Sequence, residues 1–325
     1  MDLRPPDTSA SLAGGRTGSP RGAILPSARG REAIGAFNLM TFFALALVLA
    51  AAVFHATWNL LAKRVGDGGP VFVWLFGFCS VLIYAPLAVV VVYVVGPHLG
   101  PVQFLFMFGS GVLHLGYFVL LQRGYAVGDL SVVYPIARGT GPLLATAAAI
   151  VLFDERPSFL AFMGIGLITV GVFVLTSESG SLRSGLGAGV VYGLLTGVFI
   201  AAYTIWDKQA VSALLIPPLL QSWATTLVTT LLLTPLAVGR RKEALALWRA
   251  HRPEVLGVAI LSPLSYILVL TALVFTPVSY VAPAREISIL IGAAMGTRLL
   301  SEGDSTRRIV AAGAMVAGII ALALG

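Results

Sequence analysis

Charged residues are scarce in this sequence of 325 residues: Asp, Glu, Lys and Arg make up 11% of it, whereas hydrophobic residues make up 58%. Soluble domains carry about 25% charged residues. The scarcity therefore excludes an ordinary soluble protein and predicts an integral membrane protein. Cysteine is nearly absent, because Cys79 stands alone. A single thiol excludes an intrachain disulfide and any multi-cysteine metal site, so we expect Cys79 to be an inert packing residue.

Positive charge exceeds negative charge, and the formal net charge at pH 7 is +7. Most Lys and Arg residues fall between apolar runs, where the positive-inside rule accounts for them without a nucleic-acid partner. The start of the chain differs, since residues 1–36 combine five Arg with many Gly, Pro and Ser. Such a segment buries too little apolar surface to fold, so we predict a disordered N-terminal tail over residues 1–36.

Apolar runs of roughly 20 residues, the length that crosses a ~30 Å hydrocarbon core as a helix, fill the remainder. Backbone polar groups cannot stay unpaired in lipid, so these runs must be helical. The predicted fold is an all-α integral membrane protein with ten transmembrane helices in a lipid bilayer. The predicted spans are residues 37–62, 71–95, 102–122, 130–153, 158–176, 185–206, 216–238, 255–275, 278–300 and 307–324.

The two halves of the sequence resemble each other. VVYPIARGTGPLLATAAAIVLFDERPS (132–158) aligns without gaps, at an offset of 147, on SYVAPAREISILIGAAMGTRLLSEGDS (279–305). Arg138 then falls on Arg285. Likewise Glu155 falls on Glu302, and TWNLLAK (57–63) corresponds loosely to AYTIWDK (202–208), which matches Lys63 with Lys208.

This repetition predicts two five-helix repeats, over residues 37–176 and 185–325, joined by a linker at 177–184. Five spans are an odd number, so the second copy must enter the membrane inverted. Inverted repeats are typical of secondary transporters, whose substrate site lies near mid-membrane at the interface between the repeats. We therefore predict a carrier that binds a small molecule and works by alternating access.

GPLLATAAAIVLFDERPSFLAFMGIGLITVGVFVL (141–175) resembles the EamA-type half of the drug/metabolite transporter superfamily. The shared features are a proline inside one helix, an acidic-basic loop and a Gly-rich helix. The loop is Asp154-Glu155-Arg156 here, with Ser301-Glu302-Gly303 in a weaker second copy. The resemblance covers about residues 40–325 and implies a ten-helix, two-repeat carrier of small metabolites or drugs, often exporting them. It assigns no role to Arg138 or Arg285, which depart from the family pattern.

Arg138 and Arg285 lie inside predicted spans. Arg138 stands about 4–5 Å from the middle of its span, where insertion of an arginine costs about 3 kcal/mol. Both arginines either bind an anionic substrate group in a wet cavity, pair with a carboxylate to lock two helices, or reach towards the membrane interface. We interpret them as substrate-binding residues, because a guanidinium fork matches a carboxylate or a phosphate.

Glu286 follows Arg285, but neighbours on a helix do not face each other. We therefore expect Glu286 to pair with Arg138 across the repeat axis, which leaves Arg285 for the substrate. Pro135 and Pro283 precede the arginines, and each is expected to kink or break its helix at the site. Freed carbonyl groups are tolerated only against protein or water, which favours a binding locus there.

Aromatic and polar side chains of other spans are expected to line the same site. His55, Trp58 and Asn59 fall on one face of the first span, and His114 and Tyr117 form a similar pair on the third. The matching helix of the second repeat offers Tyr203, Trp206 and Asp207, although Trp206 also suits an interface anchor. The predicted wall residues are Tyr134, His55, Trp58, Asn59, His114, Tyr117 and Tyr203.

Histidines inside a membrane have two readings. A buried histidine is commonly a hydrogen-bonded structural residue, whereas proton coupling through His55 or His114 is the alternative. We predict no other cofactor and no metal. Every fourth residue of the sixth span is glycine, at Gly185, Gly189, Gly193 and Gly197. Such stripes let helices approach closely. Packing within one chain is the favoured interpretation, and a homodimer is the alternative.

Lys and Arg near the spans favour one face of the membrane. Loops after the odd-numbered spans hold twelve of them, and the opposite face holds four. The positive-inside rule then places both termini outside, whereas the family resemblance implies termini inside; we favour the charge count. RRKEALALWRAHRPE (240–254) becomes a basic amphipathic segment on the anionic inner leaflet. Abundant Gly, Ala and Arg with three Lys indicate a bacterial inner (plasma) membrane.

Enzyme motifs are missing. The sequence has no HExxH, paired-aspartate motif or P-loop, and FGSGVLHLG (108–116) fails the GxSG pattern of intramembrane serine proteases at Phe108. We therefore predict a non-enzymatic secondary transporter, an exporter or permease, of a small polar or anionic metabolite such as an amino acid. An intramembrane enzyme and a non-transporting membrane scaffold are the alternatives.

Overall fold

The computed structural model describes residues 41–66, 69–128, 130–176, 187–295 and 305–325. These residues form twelve helices, and no strand occurs among them. In chain order the helices are α1 (Phe42–Val65), α2 (Gly69–Val95), α3 (Pro101–Val127), α4 (Leu130–Phe153), α5 (Phe159–Thr176), α6 (Ala188–Ser212), α7 (Pro218–Gly239), α8 (Arg241–Ala250), α9 (Arg252–Phe275), α10 (Val278–Ala284), α11 (Ile287–Met295) and α12 (Ser305–Leu324).

Most of these helices suit a bilayer. Within the described ranges, eight segments are long and apolar enough to cross a membrane, with α10 and α11 taken together as Val278–Met295. Phe159–Leu175 and Ile309–Leu324 are shorter apolar helices. The prediction of an all-helical, multi-pass membrane protein is confirmed. The predicted tail at residues 1–36 and the linker at 177–184 lie outside the described residues.

The outer surface of the bundle is apolar, and its interior is built largely from small side chains. Val94 and Phe104 are among many large apolar residues that lie exposed on the helices, which suits contact with lipid tails. The largest buried cluster joins α1, α4, α5, α6, α9, α10, α11 and α12, and Ala51, Ala145 and Ala272 lie within it. Small residues let these helices approach closely, because packing rather than water exclusion holds helices together in lipid.

The glycine stripe of α6 packs against α4 and the end of α3 in the same chain. A Cβ at Gly193 would lie 3.1 Å from the Ile136 side chain, and a Cβ at Gly197 would collide with Thr140. Gly189 lies against Gly128. Packing within one chain is therefore confirmed for these three glycines. Gly185 lies outside the described residues.

The ninth predicted span is not one continuous helix. Helix α10 ends at Ala284, Arg285 and Glu286 form a turn, and α11 begins at Ile287. The amide of Glu286 donates to the Pro283 carbonyl at 3.0 Å, and the amide of Ile289 donates to the Glu286 carbonyl at 2.9 Å. These bonds join residues three apart, so the backbone tightens at a turn that begins two residues after Pro283, which itself lies inside α10.

Pro135 has a different outcome, because α4 runs unbroken through Pro135 and Pro142. Each proline was expected to kink or break its helix: a break follows two residues after Pro283, whereas α4 has no break at Pro135, and a kink at Pro135 stays a prediction. Pro135 is the sixth residue of α4, so its ring removes a single bond in the first turns, where several amide groups have no intrahelical partner in any case. Continuation past a proline there is tolerated in membrane helices.

The basic segment 240–254 contains helix α8 and the start of α9. Leu247 and Trp248 pack on a buried cluster formed by Phe72, Leu75, Val255 and Val258. The guanidinium carbon of Arg252 lies 5.7 Å from the centre of the Trp248 ring. The helix therefore rests its apolar side on the bundle and leaves Arg241 and Arg249 exposed. Its position on the inner leaflet stays a prediction.

Candidate functional site

Two arginines and one carboxylate meet inside the bundle. Arg138, on α4, points an Nη2 atom at Oε2 of Glu286, 2.9 Å away. Arg138 and Arg285 are each 8% exposed and Glu286 is 2% exposed. The contact expected between Glu286 and Arg138 is present. It joins the first repeat to the second, because Glu286 belongs to the turn between α10 and α11.

Glu286 also reaches its neighbour. Nε of Arg285 lies 3.7 Å from Oε1 of Glu286, so the expectation that the two neighbours would not face each other is wrong. That expectation assumed a regular helix. The turn at residues 285–286 rotates the two side chains towards each other, and Glu286 lies between both guanidinium groups.

Several polar atoms of this cluster have no hydrogen-bond partner among the described residues. They are Nε and Nη2 of both Arg138 and Arg285, and both carboxylate oxygens of Glu286. The 2.9 Å approach of Arg138 to Glu286 is thus an ion pair without the angle of a hydrogen bond. Buried polar groups are normally satisfied, and two cations face one anion. The cluster can therefore accept a further anionic group through guanidinium N–H donors.

Aromatic rings from other helices surround Arg285. Its guanidinium carbon lies 5.9 Å from the centre of the Tyr203 ring on α6. His114 of α3 stacks on Tyr203 with ring centres 4.1 Å apart, and Tyr117 meets the same ring edge-on at 5.9 Å. Tyr134 lies beside Arg138, one helical turn earlier. These four predicted wall residues are brought together at the arginines.

Helix α1 contributes His55 and Trp58 but not Asn59. The ring centres of His55 and Trp58 lie 4.9 Å apart. His55 is also within electrostatic range of Arg138 and Arg285. Nε1 of Trp58 is buried without a hydrogen-bond partner in the described part of the chain. Asn59 is exposed, and its amide donates to the His55 carbonyl at 2.7 Å. Asn59 lies on the exposed side of α1, so it does not belong to the site around Arg138 and Arg285.

A second polar cluster adjoins the first. Asp207 is fully buried on α6, where Nε2 of Gln221 donates to its Oδ1 at 2.9 Å. The Tyr266 hydroxyl donates to its Oδ2. The Tyr266 ring meets His114 edge-on, with ring centres 5.2 Å apart. Asp207 is thereby linked through two rings to the residues around Arg285.

Sequence reasoning missed Tyr266 and Gln221 because neither belongs to a motif or to the aligned segments of the two repeats. Asp207 fell outside the predicted sixth span, which ended at residue 206, whereas α6 continues to Ser212. Trp206 stacks on Phe106 with ring centres 4.2 Å apart and donates from Nε1 to the Phe106 carbonyl at 2.8 Å, and its role as an interface anchor stays a prediction.

Ser110 and His114 lie one helical turn apart on α3 and contact each other. Nδ1 of His114 lies 2.9 Å from the Ser110 carbonyl oxygen and 3.5 Å from the Ser110 hydroxyl. Ser110 is fully buried, and its hydroxyl accepts a hydrogen bond from the Thr225 hydroxyl at 2.8 Å.

Two side chains fasten the junction between α9 and α10. Nζ of Lys208 donates to the Leu273 carbonyl at 2.6 Å and to the Thr276 carbonyl at 3.1 Å. The Glu155 carboxylate accepts from the amides of Val278 and Ser279 at 2.7 and 2.9 Å. A cation thus meets the end of α9 and an anion the start of α10, as the helix dipoles favour.

The corresponding residues of the other repeat behave differently or lie outside the described chain. Lys63, the counterpart of Lys208, is exposed. Glu302, the counterpart of Glu155, belongs to residues 296–304, which are not described. Among described residues, no group of three or more His, Cys, Asp or Glu side chains is placed to hold a metal ion.

Known proteins share this architecture. The model of the EamA-like transporter family matches residues 42–177 and again 187–324. An uncharacterized transporter of Synechocystis is 28% identical over 154 residues, which cover 47% of this chain and 43% of the relative. A multidrug transporter of Pseudomonas aeruginosa is 37% identical over 75 residues, which cover 23% of this chain and 66% of the relative.

A solved crystal structure shows the same fold. It aligns with a TM-score of 0.67 over 86% of this chain and 98% of that chain, at 14% sequence identity. At that identity the likeness extends to the fold alone. The aligned part of this chain spans less than half the length of the Synechocystis relative and about two thirds of the Pseudomonas relative.

Proposed function

This chain belongs to the EamA-like transporter family, and from that premise we propose that it is a secondary transporter of a small polar or anionic metabolite such as an amino acid. It moves its substrate by alternating access of two inverted five-helix repeats. The ten spans are α1 to α7, α9, the interrupted helix α10–α11, and α12. The membrane is a bacterial inner membrane, with the basic helix α8 on its cytoplasmic face.

The observation that carries this proposal is the unequal charge of the buried cluster. Arg138 has Glu286 at 2.9 Å, whereas Arg285 reaches the same carboxylate only at 3.7 Å. Arg285 keeps two buried nitrogen atoms without a hydrogen-bond partner among the described residues. An isolated buried charge is expensive, so a substrate carboxylate or phosphate at Arg285 would complete the cluster.

Alternating access is supported by the position of this cluster and by an asymmetry between the repeats. Arg138 and Glu286 join α4 of the first repeat to the α10–α11 turn of the second, so relative movement of the repeats changes the surroundings of the site. Lys208 fastens the α9–α10 junction, whereas its counterpart Lys63 is exposed. In our proposal, when the site opens to the opposite face of the membrane, Lys63 binds carbonyl groups in its own repeat and Lys208 becomes exposed.

Reconstitution in liposomes tests the proposal. Purified protein is supplied with a mixture of labelled L-amino acids, and uptake is measured for the wild type, Arg285→Ala and Arg285→Lys. Loss of a buried, charge-assisted contact of about 2 kcal/mol or more lowers uptake by at least about 30-fold in Arg285→Ala. Arg285→Lys recovers part of it, because lysine restores the charge without the fork.

Arg240→Ala is the matched control, since Arg240 has a half-exposed side chain at the membrane surface and 4.0 Å from Glu243. It should transport like the wild type. Size-exclusion chromatography checks that each variant remains folded. Equal uptake by Arg285→Ala and Arg240→Ala would refute the assignment of the substrate to Arg285.

A further inference from the structure

We propose that Asp207 is the site at which this transporter binds a coupling proton. The inference rests on the proposed transport function and adds to it the group that takes up the driving ion. Ionisable residues inside membrane spans are expensive and commonly serve ion pathways. Asp207 is 0% exposed and lies five residues before α6 ends, about 7.5 Å along the helix axis.

Asp207 has no ion-pair partner among the described residues. Lys208 is adjacent in sequence, but its ammonium group donates to the carbonyls of Leu273 and Thr276 instead. A structural carboxylate in such a place is normally held by a fixed cation, because a buried charge needs a partner. Asp207 is held by two neutral groups.

Both neutral partners can reverse their hydrogen-bond roles. Gln221 now donates from Nε2 to Oδ1 of Asp207, while its own Oε1 is buried without a partner among the described residues. Rotation of that amide would let Oε1 accept a hydrogen bond from a protonated Asp207. The Tyr266 hydroxyl, which now donates to Oδ2, can also accept. The pocket can therefore satisfy the carboxylate and the carboxylic acid in turn, which a lysine or arginine partner could not do.

Helices α3, α4, α7, α9 and α10 pack against α6 in the described part of the chain. Among those helices, α7 supplies the amide of Gln221, and α10 leads into the turn that bears Arg285. The titratable and charged groups of Asp207 and of the adjoining anion site are His114 and Tyr117 on α3, Tyr266 on α9, Tyr203 and Lys208 on α6 itself, Arg285 in the turn after α10, and Arg138 on α4, which pairs with Glu286.

These groups connect the proton site to the anion site. Tyr266 meets His114, His114 stacks on Tyr203, and Tyr203 carries the Arg285 guanidinium over its ring. Proton binding forms one O–H bond on Asp207 and removes one negative charge, and the reverse step returns the proton to water. A change of charge at Asp207 alters the electrostatic potential at Tyr203, whose ring contacts Arg285. Proton binding at Asp207 therefore changes the substrate affinity of Arg285, and substrate binding changes the proton affinity of Asp207 by the same factor.

Infrared difference spectroscopy tests proton binding without any substrate. The protein is reconstituted in lipid and titrated from about pH 8 to about pH 5, the range in which a coupling proton must exchange. We expect a carboxylic acid C=O band that grows on acidification, disappears in Asp207→Asn and persists in Asp154→Asn, whose carboxylate is 81% exposed. The same band in Asp207→Asn as in the wild type would overturn the proposal.

Tyr266→Phe keeps the ring and removes the hydroxyl, so it provides a second reading if Asp207→Asn does not fold. Loss of one hydrogen bond should shift the midpoint of the band by about one pH unit; an unchanged midpoint contradicts the assignment. In proteoliposomes, a pH gradient should stimulate uptake of the labelled L-amino acid mixture by roughly tenfold, and Asp207→Asn should lose that stimulation.

The two measurements separate the proposals. A chain that shows the Asp207 band but moves no amino acid refutes the proposed function and leaves the proton-binding site standing. A chain that transports amino acids, depends on Arg285 and lacks the band refutes the proton site alone.

Discussion

Glu286 lies between two buried guanidinium groups, so replacing it should harm the protein more than replacing either arginine. Glu286→Gln leaves Arg138 and Arg285 facing each other with no carboxylate in the cluster. Removing one partner of a buried pair costs about 3–5 kcal/mol, and repulsion between two unpaired cations adds to it. Arg138→Gln instead leaves one cation, Arg285, 3.7 Å from one carboxylate, so its cost should be about 1–3 kcal/mol.

The double variant Arg138→Gln/Glu286→Gln should fall between the two single variants, since it leaves Arg285 as the one unpaired charge of the three. The free energy of unfolding in mixed micelles, measured by titration with a denaturing detergent, gives all three values. Arg240→Gln serves as the control, because a surface arginine contributes little. If Arg138→Gln destabilised the protein as much as Glu286→Gln, the picture of one carboxylate shared by two buried cations would be refuted.

Two further predictions concern the ends of the helices. Lys208→Met removes the ammonium group that binds the Leu273 and Thr276 carbonyls. Thermal unfolding should show that it lowers the free energy of unfolding by about 1–3 kcal/mol. Lys63→Met, at the exposed counterpart, should change the free energy of unfolding by less than about 0.5 kcal/mol. Equal destabilisation by Lys208→Met and Lys63→Met would contradict the structural asymmetry between the two lysines. A reporter fused after Gly325 should lie outside the cytoplasm, as the twelve-to-four distribution of Lys and Arg predicts; a cytoplasmic signal would reverse the orientation.

The lengths of the apolar runs predicted many helix bounds well, because a span must satisfy its own backbone in lipid whatever it packs against. The predicted run 130–153 coincides with α4. The prediction failed where charge interrupts a helix that tertiary contacts support. The charges of Asp207 and Lys208 led to a predicted end of the sixth span at residue 206, but the helix continues to Ser212. Gln221 and Tyr266 donate hydrogen bonds to Asp207, and Lys208 donates to a carbonyl at the end of α9.

The candidate site was predictable where one residue type is costly by itself. An arginine inside a span is costly and therefore conspicuous in the sequence, and Arg138 and Arg285, which align in the two repeats, both approach Glu286. Asn59 was included because it is polar and four residues from His55, but exposure depends on the direction of the whole helix relative to its neighbours. Tyr266 could not be identified from sequence, because its role depends on a bond to Asp207 on another helix.

The repeats also explain why the cluster carries an excess of positive charge. At the offset of 147 that superposes Arg138 on Arg285, the counterpart of Glu286 is Gly139. A Cβ at Gly139 would collide with the ring of Phe173, so a carboxylate does not fit after Arg138 unless that ring moves. Two identical repeats would place two arginines and two glutamates in the cluster, whose net charge would be zero, so it would not need an anionic substrate for neutralisation. The first repeat has glycine where the second has Glu286, so two arginines share one carboxylate, and in our proposal an anionic substrate neutralises the second guanidinium.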